Sequence, residues 1–323
     1  MSSRSPHNPV MLNEMLDWLN PVDGGIYVDG TFGAGGYSRA ILQRADCRVY
    51  AIDRDPSTKE FADVLEREFA GRFVWVLGNF ADMCELLAEK GIESVDGVVL
   101  DLGVSSMQLD TPERGFSFRF DSALDMRMSG EGMNAADVIN SADASELADI
   151  FYYYGEEKAA RKVASAIVRA RAEEPIVTTS RLADIIRLAV GGYRKKYTKT
   201  DLATRSFQAL RIYVNKEFDA IESGLAASEK LLAGGGKLVV VSFHSLEDRI
   251  VKRFTHSRCG KLEGHSRHVA ELAKASAYGK EGAPSFFLPK PEKRIAGKIE
   301  LENNPRARSA VMRMIVKNEE AVL

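Results

Sequence analysis

Short runs of consecutive apolar residues, each bounded by Gly or Asp, recur along the first hundred residues and again towards the C-terminus. Continuous rather than alternating apolarity is typical of strands that are buried on both faces of a parallel sheet. Helical spacing fills most intervals between the first four runs, which is the order of a doubly wound α/β sheet. The predicted strands are 26–28, 49–52, 73–77, 98–100, 237–243 and 310–316.

The strand pattern stops between residues 135 and 233, where apolar positions follow helical spacing instead. The Gly-Gly-Gly run at 234–236 is expected to end the last of these helices, because glycine favours the conformation that closes a helix. The predicted helices are 145–171, 181–190 and 204–232.

A doubly wound sheet interrupted by helices suggests one domain inserted into another. We predict an α/β domain from residues 1–134 and 214–323, with an inserted all-helical domain at 135–213. Residues 255–305 are rich in Gly, Ser, Lys, Pro and His with weak periodicity, which is typical of a long surface segment.

The overall composition narrows the class of protein. At 323 residues and 45% hydrophobic content, the chain can bury about two domain cores. No stretch approaches the ~20 uncharged apolar residues of a membrane span, and the N-terminal sequence lacks the apolar core of a signal peptide. We therefore expect a cytoplasmic protein with no membrane partner.

The cysteines do not indicate a disulfide framework, because there are only three, far apart and without a Cys-x-x-Cys pair. His256-x-x-Cys259 and His265-x-x-His268 have spacings that a zinc site can use. The polar, Gly-rich surroundings favour an ordinary basic loop, so no metal is predicted.

The formal net charge of -2 and the isoelectric point near 6.3 exclude a protein that coats nucleic acid by bulk electrostatics. Any RNA contact must use a local patch, for which the Tyr-Arg-Lys-Lys-Tyr-Thr-Lys run at 193–199 and the arginines beyond it are candidates. A solvated helix face is the alternative interpretation. The candidate RNA-binding residues are Arg194, Lys195, Lys196, Arg205 and Arg211.

The first predicted strand runs into Asp-Gly-Thr-Phe-Gly-Ala-Gly-Gly-Tyr-Ser at 29–38, which contains Gly33, Gly35 and Gly36. A glycine-rich turn at a strand's carboxyl end lets backbone approach a ligand. The next strand ends at Asp53, where a carboxylate can accept both ribose hydroxyls of a nucleoside cofactor.

A nicotinamide dinucleotide shares these features, but the turn lacks the third glycine of the dinucleotide motif. S-adenosylmethionine has no pyrophosphate and tolerates a wider turn, so we favour a methyltransferase. Phe80 and Asp101 lie at further strand ends, where an aromatic ring could contact adenine and a carboxylate could adjoin the reacting centre. A core phenylalanine and a helix-capping aspartate are the alternatives.

Seven segments together, in this order, closely resemble the RsmH (MraW) family of ribosomal RNA methyltransferases. This resemblance implies a class I (Rossmann-like) methyltransferase fold and methyl transfer from S-adenosylmethionine to N4 of a cytidine. The implied target lies in the decoding centre of 16S ribosomal RNA in the small subunit. The segments are 29–39, 51–56, 101–106, 113–118, 124–128, 242–249 and 304–309.

The resemblance also implies which residues bind the cofactor. Many family members have histidine where this chain has Tyr37, and proline is frequent at the position of Met107. Backbone contacts should survive both changes. The implied cofactor-binding residues, together with Gly33 of the same turn, are Gly35, Gly36, Tyr37, Asp53, Phe80, Asp101 and Gln108.

Little acid–base chemistry is needed, because a sulfonium methyl is already activated and needs mainly positioning. The N4 lone pair of cytosine is delocalised into the ring, so an acceptor for its hydrogen would help. Asp101 is the first candidate acceptor and His244 the second, although His244 could equally be a structural histidine at a strand end.

Three alternatives remain open from the sequence alone. The chain could methylate DNA or a protein, or it could be a non-catalytic ribosome assembly factor that holds the cofactor without turnover. A homodimer is also left open. Since the net charge is moderate, we expect the folded small subunit rather than naked RNA to be the substrate.

Overall fold

The computed structural model describes residues 9–191, 201–261 and 284–319. The chain divides into a sheet unit, Met1–Gly103 with Asp219–Leu323, and a helical unit, Val104–Phe218. The strands are β1 (Ile26–Asp29), β2 (Arg48–Asp53), β3 (Phe73–Leu77), β4 (Val95–Asp101), β5 (Leu232–Ser242), β6 (Phe286–Phe287), β7 (Arg294–Ile295) and β8 (Val311–Lys317).

The helices of the described residues follow the same chain order. They are α1 (Leu12–Leu19), α2 (Gly36–Arg44), α3 (Lys59–Glu68), α4 (Met83–Ala88), α5 (Ser106–Asp110), α6 (Ala135–Ser141), α7 (Ala144–Gly155), α8 (Ala160–Glu173), α9 (Thr179–Gly191), α10 (Thr204–Asn215), α11 (Glu217–Leu231), α12 (Ser245–Arg258) and α13 (Lys298–Asn303).

The sheet has the order β3-β2-β1-β4-β5-β8-β6, and β7 also pairs with β8. Strands β1 to β5 are parallel, whereas β8 runs antiparallel to β5. The strand order reverses between β1 and β4, and ligands of such sheets bind at the carboxyl ends of the strands at this point. The site should therefore follow Asp29 and Asp101.

Both faces of the sheet are covered. Val99 packs with Met15, Ile41 and other residues of α1, α2 and α3 in one core. Its neighbours Val98 and Leu100 are just as completely buried but point to the opposite face, because successive side chains alternate along a strand. The predicted doubly wound Rossmann-like α/β fold with an all-helical insertion is confirmed.

Two predicted helices are each broken in the structure. The predicted helix 145–171 corresponds to α7 and α8, which are separated at Glu156, a residue with a left-handed backbone conformation. The predicted helix 204–232 corresponds to α10 and α11, which are separated at Lys216 in the same conformation. The glycine run at 234–236 lies inside β5 and does not end a helix, so that prediction was wrong. The predicted insert, 135–213, lies within the helical unit.

The helical unit has a core of its own, formed largely by α6 to α10. Fully buried members include Ile139, Phe151, Ile167 and Leu210. Of the helices described, none is both long and apolar enough to cross a membrane.

Candidate active site

The glycine-rich turn between β1 and α2 requires glycine at two positions. Gly33 and Gly35 have φ values of 54° and 79°, in the left-handed region that other residues rarely adopt. A Cβ added to Gly35 would also lie 2.7 Å from the Phe32 ring. The turn thus exposes backbone rather than side chains where α2 begins.

Asp29, at the end of β1, organises this turn. Its carboxylate accepts hydrogen bonds from the Thr31 amide at 3.2 Å and the Ser38 hydroxyl at 2.7 Å. Burial raises the pKa of Asp29 to about 6, and the hydrogen bond from Ser38 opposes that shift. Asp29 is not among the site residues predicted from the sequence, although it opens the Asp-Gly-Thr segment that precedes the glycines.

Asp53 lies at the adjacent end of β2 and meets the same turn. Its carboxylate accepts from the Gly33 amide at 2.7 Å and from the Asp55 amide at 2.9 Å. Burial raises the pKa of Asp53 to about 6. The structure thus brings together the glycine turn and the acidic strand end, as their spacing in the sequence suggests.

Phe80 follows β3 in a short 3₁₀ turn. Its Cβ would be 3.0 Å from a Cβ placed on Gly30, and its ring carbon Cδ2 would be 2.3 Å from one on Gly224 of α11. The ring is half-buried between the glycine-rich turn and α11, where only glycines leave it room.

Asp101 ends β4, on the other side of β1. Its amide donates to the Thr31 hydroxyl at 2.6 Å, whereas its buried Oδ1 has no hydrogen-bond partner among the described residues. Burial raises the pKa of Asp101 well above its ordinary value, and the charges of Asp29 and Glu247 add to the effect. Such an oxygen can accept a hydrogen bond from a ligand.

His244 precedes α12 and caps it. Its Nδ1 accepts from the Glu247 amide at 3.3 Å, and its Nε2 lies 2.9 Å from Oε1 of the same Glu247. The fully buried Glu247 carboxylate also accepts from the amides of Phe243 and His244. Both imidazole nitrogens therefore face Glu247, and the two residues form a capping box at the start of α12.

Tyr37 is buried in the first turn of α2, whereas Gln108, Arg205 and Arg211 belong to the helical unit. Gln108 is buried and forms a reciprocal capping box with Ser105 at the start of α5. Arg205 donates to the Glu156 carbonyl, and Arg211 pairs with Glu217 at 2.8 Å. Arg194, Lys195 and Lys196 lie outside the described residues.

A cleft of about 500 Å³ opens on the helical unit. Its aromatic wall includes Tyr153, which is 64% exposed. Three carboxylates line the cleft and no basic residue does, so this face is unsuited to phosphate. The lining residues are Asp143, Ser145, Glu146, Asp149, Ile150, Tyr153, Tyr154, Tyr213 and Phe218.

The alternative interpretation as a zinc site involves two pairs of residues, of which one pair is described. His265 and His268 lie outside the described residues, and the residues that are described contain no group of three or more metal-ligating side chains. Described His256 instead lies 3.4 Å from the Glu292 carboxylate.

The sequence of this chain is similar to those of ribosomal RNA methyltransferases from bacteria. Ribosomal RNA small subunit methyltransferase H of Rhodospirillum rubrum is 54% identical over 321 residues, covering 99% of this chain and 96% of the relative. The protein of that name from Rhizorhabdus wittichii is 52% identical over 315 residues, covering 97% and 94%.

A solved rRNA methylase from Streptococcus thermophilus aligns over 98% of this chain and 99% of the solved chain, at 10% identity and a TM-score of 0.40. The model of the MraW methylase family matches residues 4–318. The chain therefore belongs to the MraW methylase family.

Proposed function

We propose that this chain transfers a methyl group from S-adenosylmethionine to N4 of a cytidine in the decoding centre of 16S ribosomal RNA. As a member of this methylase family, the chain is an S-adenosylmethionine-dependent methyltransferase. The observation that carries the proposal is the unpartnered, buried Oδ1 of Asp101 beside the glycine-rich turn. We propose the cytoplasm as the place of the reaction.

The residues around the switch point of the sheet fit this cofactor. The Asp53 carboxylate can accept ribose hydroxyls, the Phe80 ring can lie against adenine, and backbone at Gly35 and Gly36 can approach closely. When bound, S-adenosylmethionine supplies a methyl group already activated on sulfur. Gln108 stays a predicted cofactor contact, as the family resemblance implies.

Asp101 is the proposed acceptor for the N4 hydrogen. Burial makes its carboxylate a stronger base than an exposed aspartate, and its Oδ1 carries no competing hydrogen bond within the described chain. Accepting the N4 hydrogen localises the nitrogen lone pair towards the methyl group. A site closed to water then mainly needs to align the reacting atoms.

His244 is a weaker candidate for the same role. Because both of its ring nitrogens face Glu247, His244 would have to leave this arrangement before it could accept a proton from the base. A catalytic role for His244 stays a prediction, with Asp101 preferred.

The target cytosine must leave its stack to be reached. We propose that the helical unit holds the unpaired RNA strand through Arg194, Lys195, Lys196, Arg205 and Arg211. Arg211 already pairs with Glu217, so the first three and Arg205 are the stronger candidates. The folded small subunit is the proposed substrate.

The test is transfer of labelled methyl from S-adenosylmethionine to small subunits lacking the modification, followed by nucleoside analysis. We expect labelled N4-methylcytidine with the wild type and at least about 100-fold less with Asp101→Asn. Cofactor binding without labelled RNA would indicate a non-catalytic assembly factor. Label in DNA or protein would indicate another polymer, and equal labelling of a naked hairpin would exclude the need for the subunit.

A further inference from the structure

A short N-terminal segment, Pro9–Met11, packs on the start of α2. The Tyr37 hydroxyl donates a hydrogen bond to the Val10 carbonyl, and the tyrosine is only 4% exposed. Burial raises the pKa of Tyr37 well above its ordinary value, with the charges of Asp101 and Asp29 adding to the effect. The hydroxyl therefore keeps its proton and remains a donor.

Two further contacts hold the segment in place. A Cβ on Gly36 would lie 2.1 Å from Cγ of Pro9, so the first residue of α2 must be glycine for Pro9 to approach. Met11 is completely buried with a left-handed φ of 53°, and its amide donates to Glu300 Oε1 at 2.7 Å. Such a conformation persists only where surrounding contacts fix it.

The segment contacts the first turn of α2, which is part of the proposed cofactor site. Amides in the first turn of a helix have no partner within the helix and can face a ligand. In α2 these amides belong to Gly36 and the residues after it. The contacts that Pro9 and Val10 make with Gly36 and Tyr37 restrict the position of the first turn of α2.

We propose that Pro9–Met11 is a strap that positions the first turn of α2 for the cofactor, with Tyr37 as the positioning residue that holds it through Val10. The inference rests on the proposed cofactor site. Because coupling between two sites is reciprocal, the strap favours cofactor binding and the cofactor favours the closed strap to the same degree.

The first test compares Tyr37→Phe with Tyr27→Phe. Tyr27 is equally buried in the same unit, and its hydroxyl accepts from the Val22 amide at 2.9 Å, at the opposite end of β1. Each variant removes one hydroxyl and one hydrogen bond. We expect Tyr37→Phe to raise the Kd and KM for S-adenosylmethionine about five-fold with little change in kcat, and Tyr27→Phe to leave them unchanged.

The second test measures amide hydrogen exchange in α1, directly after the strap, with and without S-adenosylmethionine. We expect the cofactor to slow exchange in the wild type and to slow it less in Tyr37→Phe and in Pro9→Gly, which leaves the glycine-rich turn intact. Unchanged cofactor affinity and exchange in both variants would overturn the strap. A wild type that binds no S-adenosylmethionine would overturn the proposed function and the strap with it.

Discussion

Burial raises the pKa values of three carboxylates at the ends of neighbouring strands. Asp29 and Asp53 have pKa values of about 6, and that of Asp101 is raised well above its ordinary value. Asp29 and Asp53 each accept at least two hydrogen bonds, whereas Asp101 Oδ1 accepts none within the described chain. A buried carboxylate that is ionised and has no hydrogen-bond partner lowers the stability of the folded protein. Such destabilising groups are typical of binding sites.

Asp101→Asn should therefore stabilise the protein, and more at pH 8 than at pH 5. When the pKa of a carboxyl group is higher in the folded than in the unfolded protein, protonation stabilises the folded state. That stabilisation is complete below the unfolded-state pKa, and it is lost as the pH rises through the folded-state pKa. Asparagine carries no such charge, so we expect its advantage to grow with pH and to reach on the order of 1 kcal/mol. Urea unfolding at both pH values measures it.

The matched control is Asp96→Asn, an exposed position on the same strand β4, which should gain nothing at pH 8. Equal stabilisation by Asp101→Asn at pH 5 and pH 8 would contradict the burial of an ionised carboxylate.

The same residue should determine how activity depends on pH. Only ionised Asp101 can accept a proton, so wild-type kcat/KM should rise with pH until the raised pKa of Asp101 is passed. Asp101→Asn should lose that rise and at least about 100-fold in rate, keeping only the change near pH 6 from Asp29 and Asp53. A pH–rate profile identical in shape to that of the wild type would exclude this role.

Single residues were predictable where strand ends fix their place. Asp53 and the Gly33 turn follow adjacent parallel strands, and their contact comes from that adjacency. The spacing of residues could not indicate that His244 directs both ring nitrogens at Glu247, or that Arg211 pairs with Glu217. Those pairings depend on side-chain directions that only the folded backbone sets.

Strands of the sheet were predictable because full burial on both faces leaves a continuous apolar run. The helix breaks at Glu156 and Lys216 were not predictable. Both residues adopt left-handed conformations, but neither is a glycine or a proline, the residue types that usually signal the end of a helix. The glycines at 234–236 lie in β5, opposite the irregular pairing between Val95 and Gly97 of β4. Tertiary pairing there overrides the local preference of glycine.

The packing of α11 on Phe80 allows a test at the scale of an element. A Cβ at position 224 would lie 2.3 Å from the Phe80 ring, so Gly224→Ala must displace the ring or the helix. Forced repacking costs about 1–3 kcal/mol, and we expect at least about a five-fold weaker affinity for S-adenosylmethionine. Titration calorimetry measures the affinity.

Ser223→Ala is the control for this helix, because Ser223 is exposed on α11 and alanine favours the helix at either position. Equal cofactor affinity in the two variants would show that the ring of Phe80 does not contribute to the cofactor site.

Although the net charge of the whole molecule is close to zero, its charged residues are distributed unevenly over the surface. The formal net charge is -2, and the cleft of the helical unit adds a surface of carboxylates and aromatic rings. RNA contact must therefore be local, as expected from composition. Which surface is acidic could not be predicted, because Asp143 and Asp149 of α7 meet Tyr213 of α10 only in the folded unit.

Replacing Arg194, Lys195 and Lys196 together by alanine should weaken binding to the small subunit and reduce its salt dependence. Each neutralised phosphate of a single strand contributes about 0.7 to the slope of log affinity against log salt. Loss of three contacts should lower that slope by about 2. Affinity for S-adenosylmethionine should not change, since the proposed cofactor contacts do not include these residues.

The control replaces three exposed basic residues of the same unit, Lys158, Arg161 and Arg169, and changes the net charge by the same amount. If the 193–199 patch contacts RNA directly, only the first triple variant lowers the slope. If both variants lower it equally, bulk charge rather than local contact governs binding, and the RNA-binding assignment of the patch fails. Methylation measured at low salt, where weakened binding is compensated, then separates a loss of affinity from a loss of chemistry.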